Sequence, residues 1–150
     1  MNKKKNLQGF AGELFVQAEL NMRGYCTSKV PDAEKSYDLI AKTSNGYREV
    51  QVKTIKFTRA NDSIEWPVGE KVNDSDDNII WVFVLFSENS HPRYFICDGK
   101  YVKENVNQHY IDWLNTPGRN GKPHNPSKIR NFILEKEIQS NYEDKWDIFE

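Results

Sequence analysis

The stretch Tyr37–Thr54, YDLIAKTSNGYREVQVKT, decides how the rest of the chain is read. It joins one aspartate, Asp38, to a short polar turn and then to a strand ending in Gln-Val-Lys. The turn, Ser44–Gly46, lies between two runs of strand character and is a hairpin signal. Side chains of a strand alternate between its two faces, so Glu49, Gln51 and Lys53 share one side while Val50 and Val52 share the other. A row of polar groups facing one way is either a solvated face or the floor of a site. Asp38, set between Tyr37 and Leu39, is an unusual residue to turn inward.

The elements around this hairpin are legible from pattern. Leu7, Phe10, Ala11, Leu14, Phe15, Ala18 and Met22 recur at helical spacing and predict a helix over Leu7–Arg23, with Asn6 as its cap, Gly24 as its stop and Glu13 off the centre of the stripe. Strands are expected over Tyr25–Val30, Ser36–Lys42 and Tyr47–Phe57, which makes a helix followed by an antiparallel meander. The run Ile79–Phe86, IIWVFVLF, is almost wholly apolar, as expected of a central strand covered on both faces. RYFICD (93–98) follows as a fifth strand and Asn105–Leu114 as a short helix. Thr58–Asn78 reads as a loop anchored by Trp66. Asn115–Ser127 reads as a second loop, and Lys128–Phe149 as a helical tail.

Composition narrows the class. A chain of 150 residues with 37% hydrophobic and 13% aromatic residues suits one globular domain over 1–150. No apolar run is long enough to span a membrane, and the basic start MNKKKNLQGF lacks the apolar core of a secretory signal. Cys26 and Cys97 stand far apart without metal-ligand spacing, which argues against a zinc site and suits a reducing cytoplasmic setting. The formal net charge of -1 means that any nucleic-acid contact rests on local basic patches. Lys56 and Arg59 are such patches, as readily exposed charges as phosphate contacts; Lys3–Lys5 and the loop segment Gly118–His124 are others, read first as a solvated terminus and an ordinary loop. His91, His109 and His124 show no ligand spacing.

The order of helix with Glu13, strand with Asp38, hairpin, strand with Gln51-Val52-Lys53 and then a buried apolar strand resembles the PD-(D/E)XK nuclease superfamily. The "GE" within GFAGELFVQAEL and the RGY that ends the helix are similar to its resolvase-like and Mrr-like branches. The resemblance covers the first 57 residues well, Ile79–Asp98 more loosely, and not the last 50. It implies an α/β, restriction-endonuclease-like fold with a central mixed β-sheet flanked by helices. It also implies a metal-dependent endonuclease that hydrolyses DNA, with Glu13, Asp38, Gln51 and Lys53 as catalytic residues.

In that family Mg²⁺, with Mn²⁺ as the alternative, is held by oxygen ligands. Asp38, Gln51 and the backbone carbonyl of Val52 match those positions. Lys53 matches the lysine that assists the attacking water. DNA is the implied partner and a homodimer the implied assembly, with no membrane and no small-molecule cofactor. One departure stands out. Gln51 occupies a position that is usually acidic, so it brings a neutral amide oxygen where the family brings a charge. That departure also suits a non-catalytic DNA-binding or protein-interaction module on the same scaffold, its aromatic C-terminal part docking a partner.

Overall fold

The computed structural model describes residues 3–31, 36–56, 63–87 and 90–150. Its elements are α1 (Lys3–Met22), β1 (Cys26–Lys29), β2 (Leu39–Thr43), β3 (Gly46–Lys56), β4 (Ile64–Pro67), β5 (Ile80–Phe86), β6 (Arg93–Asp98), α2 (Gly99–Asn115) and β7 (Asn131–Leu134), with short 3₁₀ helices at Glu70–Asp74, Lys136–Asn141 and Trp146–Phe149. Five strands form one sheet in the order β1-β2-β3-β5-β6, and β4 pairs with β7 in a second, small sheet.

The large sheet is mixed. The hairpin expected at Ser44–Gly46 pairs β2 with β3 antiparallel, Leu39 opposite Val50, and β1 adds antiparallel to β2. On its other edge β3 runs parallel to β5, Val52 opposite Val82. A parallel pair needs a long crossover, and the residues between β3 and β5 supply it. The apolar run is explained by its place, since every residue of Ile80–Leu85 is buried. One face of the sheet, with Val50, Val52, Val82, Val84 and Ile96, packs on Val16 and Leu20 of α1 and on Trp146 and Phe149. The other, with Trp81, Phe83, Phe95 and Cys97, packs on Val102 and Val106 of α2 and on Trp66, Phe132 and Leu134 of the small sheet.

Three expectations are corrected. First, α1 begins at Lys3, ahead of the expected Asn6 cap, and it does not bury the predicted stripe. Leu7, Phe10, Leu14, Phe15 and Met22 are exposed, whereas Gly12, Val16 and Leu20 face the sheet. The reason is approach distance. A Cβ built on Gly12 would stand 1.9 Å from Thr54 Oγ1, so only a residue without a side chain lets the helix lie so near β3. Second, Thr58–Asn78 is not loop throughout. It holds β4 and the 3₁₀ turn Glu70–Asp74, and Trp66 is fully buried with its Nε1–H donated to Val84 O at 3.1 Å. Third, the tail is not one helix but a strand followed by two short 3₁₀ helices. Asn131–Leu134 is a strand because β4 offers it a partner, Trp66 opposite Phe132, and Asn105 of α2 doubles the join by bonding both the N–H (3.0 Å) and the carbonyl (2.8 Å) of Ile133.

Among the described residues no helix is long and apolar enough to cross a membrane.

Two predictions come from this packing. Gly12→Ala is expected to destabilise the fold by about 2 kcal/mol through overpacking. Adding Thr54→Ala removes the nearest clashing atom and recovers part of that loss, which a double-mutant cycle of urea unfolding measures. The second concerns the chain end, where Arg93 grips Glu143 through two bonds of 2.6 and 2.9 Å. The hydrogen bond from Arg93 holds the Glu143 carboxyl below its ordinary 4.5. A carboxylate with a lowered folded value stabilises fully above its unfolded value and loses that contribution as pH falls through the folded one. Glu143→Gln therefore flattens the acid limb of the stability–pH curve below about pH 5 and leaves its shape at neutral pH.

Candidate active site

The site is built where β2 and β3 part. Residues i and i+2 of a strand turn their N–H and C=O the same way, so Val50 and Val52 both address β2. Val50 O receives the Asp38 N–H at 2.9 Å. One step further the β2 backbone is no longer alongside, and the Asp38 side chain takes its place. Asp38 Oδ2 accepts the Val52 N–H at 2.8 Å and the Gln51 Nε2–H at 2.6 Å. The carboxylate is 6% exposed, so it is fixed by the main chain of the strand that carries the rest of the motif. Val52 turns its carbonyl into the same gap.

Gln51 and Lys53 lie on the far side of β3 from α1. They line a cleft of about 460 Å³ together with Asp38, Lys71, Asp74 and Trp81. Gln51 stands opposite Trp81 and Lys53 opposite Phe83 on β5, so apolar rings back the polar row. The indole N–H of Trp81 is buried and has no acceptor among the described residues. A buried donor in that state costs about 1–3 kcal/mol, and it borders a cleft that can admit an acceptor.

The structure thus brings Asp38, Gln51, Lys53 and the Val52 backbone into one place. Glu13 is held elsewhere. It does not line the cleft, and its carboxylate pairs with Lys29 of β1 at 2.9 Å, while the same ammonium sits 4.4 Å over the Phe10 ring. Lys29 is opposite Leu39, the residue after Asp38, so Glu13 is at the same end of the sheet but on the α1 side. Glu49 is half-buried opposite Ile40 and lines no part of the cleft. Thr54 turns its hydroxyl to α1, and its carbonyl accepts from Gln8. Arg59 lies outside the described residues. Lys71, Asp74 and Trp81 were not legible as site residues, because they meet Lys53 only through the crossover and the β3–β5 pairing.

As donors for a hard divalent cation, the residues at this corner carry one carboxylate, the Gln51 amide oxygen and the Val52 carbonyl, all of them oxygen. The fit is one of kind, with little negative charge. Gln51 now gives Asp38 its amide nitrogen, and a half-turn of that amide presents the oxygen. Among the described residues no group of three or more His, Cys, Asp or Glu side chains could hold a metal.

The mixed five-stranded sheet, the parting of β2 from β3 at Asp38 and the helices on both faces make a restriction-endonuclease-like α/β fold. The chain is similar to the structure of a bacterial homing endonuclease at 14% identity, with a TM-score of 0.58, over 95% of this chain and 88% of the other. It is also similar to a Holliday junction resolvase of the archaeal hyperthermophile Archaeoglobus fulgidus at 12% identity, with a TM-score of 0.48, over 89% of this chain and 88% of the other. No family model matches the chain, and no curated protein matches its sequence.

Removing the carboxylate tests how far Asp38 holds the corner. Asp38→Ala leaves the Val52 N–H buried without an acceptor and is expected to cost about 1–3 kcal/mol. Asp38→Asn, whose side-chain oxygen can still accept from Val52, costs less. The order of the two denaturation midpoints checks this.

Proposed function

We propose that the chain, as one nuclease-fold domain over 1–150, is a metal-dependent endonuclease that hydrolyses DNA phosphodiester bonds. The observation that carries this reading is the Asp38 carboxylate bonded to both Gln51 and the Val52 N–H at a cleft that Lys53 also lines. The fold it shares with the bacterial homing endonuclease supports the choice of substrate.

In this reading Asp38, Gln51 and the Val52 carbonyl hold Mg²⁺ or Mn²⁺. The ion, when bound, supplies a water of lowered pKa and charge neutralisation at the scissile phosphate. Lys53 directs its Nζ hydrogens at the attacking water and at the oxygen on which charge develops. Asp38 takes its orientation from Val52, so it is set before substrate arrives. Glu13, held by Lys29 on the α1 side of the sheet, stays out of the cleft and bears on it only through β1 and β2. Two cuts in a duplex call for two such clefts, and the exposed Leu7, Phe10 and Leu14 face of α1 suits burial against a second copy. A cytoplasmic protein without an organic cofactor completes the proposal.

The second reading, a DNA-binding or protein-interaction module that no longer cuts, is favoured by the single carboxylate in the donor set. One experiment separates the two. Plasmid and branched DNA are incubated with Mg²⁺ or Mn²⁺ and the wild type, Asp38→Ala, Lys53→Ala or Gln51→Glu. Metal-dependent cleavage by the wild type, lost by 10²-fold or more in the alanine variants, is the expected result. Gln51→Glu, which restores a charged ligand, is expected to saturate at lower metal concentration. DNA binding by all four proteins with cleavage by none would instead establish the binding module.

A further inference from the structure

A second recess lies at the C-terminal end of α2, between that helix and the segment leading into β7. It encloses about 210 Å³ and is lined chiefly by His109, Tyr110, Trp113, Ile129, Arg130 and Asn131. Its wall is a stack of rings. Tyr110 and Trp113 stack at 5.9 Å, Trp113 and His124 at 4.2 Å, and the Arg130 guanidinium lies 3.3 Å over the Tyr110 ring. The stack pins the loop to the helix, for Tyr110 Oη accepts the Ser127 N–H and donates to the Ser127 carbonyl, both at 3.1 Å. Gly118 N–H reaches Lys122 O at 2.9 Å, closing the turn through Gly121 at φ +68°.

Two features of this recess point outward. Arg130 Nε–H is buried and has no acceptor among the described residues, although its Nη1 is spent on Ser127 O and Ile129 O. The charge is also lopsided. Between His109 and Arg130 the chain carries Arg119, Lys122, Lys128 and Arg130 against Asp112 alone, within a protein of formal net charge -1. Arg119, Lys122 and Lys128 are exposed, and no ion pair among the described residues offsets them.

The recess also shares a wall with the cleft. Arg130 O accepts from Val68 N at 2.9 Å and from Gly69 N at 3.2 Å, and Val68 lines the cleft that holds Asp38 and Lys53. Asn107 of α2 donates to Asn73 at 3.0 Å, within the 3₁₀ turn that carries Lys71.

We propose that the loop and its recess are a second DNA-contact surface continuous with the cleft. Arg119, Lys122 and Lys128 take backbone phosphates. The recess takes one unstacked base against the edge of Trp113, whose faces Tyr110 and His124 hold, with the Arg130 Nε–H donated to a base carbonyl or ring nitrogen. Cations position a strand without reading it, and base–aromatic contact accepts any base. The site therefore selects DNA with an unpaired nucleotide near the bond to be cut. This rests on the nuclease reading of the cleft.

The test is fluorescence anisotropy in metal-free buffer across a salt series, with a blunt duplex and with the same duplex carrying a single-stranded overhang. Wild-type cleavage is scored in parallel with Mg²⁺ or Mn²⁺. The triple variant Arg119→Ala/Lys122→Ala/Lys128→Ala is expected to bind both DNAs at least tenfold more weakly. Its log–log salt slope should be shallower by about 2 to 3, as for three lost phosphate contacts. Trp113→Ala, and Arg130→Lys, which keeps the charge but removes the Nε fork, are each expected to weaken overhang binding about tenfold more than duplex binding. If the wild type cleaves DNA and the triple variant binds like it, the basic loop is not a DNA surface, and the nuclease reading stands. Equal losses on both DNAs for Trp113→Ala and Arg130→Lys overturn the base recess. A wild type that neither binds nor cleaves overturns this proposal and the nuclease reading together.

Discussion

The parallel pairing of β3 with β5 is the constraint on which the rest of the molecule depends. It places an apolar strand, buried on both faces, beside a strand whose far half is polar on one side. Because the pair is parallel, the chain between them must cross over, and that crossover brings Lys71 and Asp74 to Lys53. Because β5 is an interior strand, both cores form against it, with α1 on one face and α2 and the small sheet on the other. A cleft opens beside β3 where the cover on the second face gives out over Gln51 and Lys53. Those residues are only partly covered, which is what two long polar side chains in a sheet require.

The second constraint is local. β2 leaves β3 after one last main-chain bond, and a side chain finishes the ladder. A carboxylate that completes a strand's hydrogen bonding is held as firmly as the strand itself. Asp38 is therefore buried without being lost to the cleft. Its neighbour Gln51 gives a second hydrogen bond to the Oδ2 that Val52 already holds. A carboxylate at position 51 could not, since two like charges at 2.6 Å would repel. The glutamine gives the carboxylate a donor at the expense of charge for a cation.

α1 shows how close approach outranks hydrophobicity. Its largest apolar residues, Phe10 and Phe15, stay exposed at the rim of the sheet, and its buried line is Gly12, Val16 and Leu20, set by the contact of Gly12 with Thr54. Glu13, one residue on, follows from that rotation. It falls over Lys29 rather than into the cleft.

The sequence by itself determined what depends on neighbours along the chain. A first helix stopping before Gly24, the hairpin at Ser44–Gly46, the shared face of Gln51 and Lys53, and β5 as a strand covered twice were all legible, because periodicity and turn chemistry act over a few residues. The antiparallel half of the sheet was legible for the same reason. Tertiary structure alone decided which side of α1 is buried, because a glycine contact 42 positions away in sequence, at Thr54, overrules the stripe. It alone made a strand of Asn131–Leu134, whose partner lies some 66 residues earlier. It alone set Lys71, Asp74 and Trp81 beside the motif, and Arg130 beside Tyr110. Such pairings are chosen by burial and by unsatisfied hydrogen bonds across the fold, which leave no periodic trace in the chain.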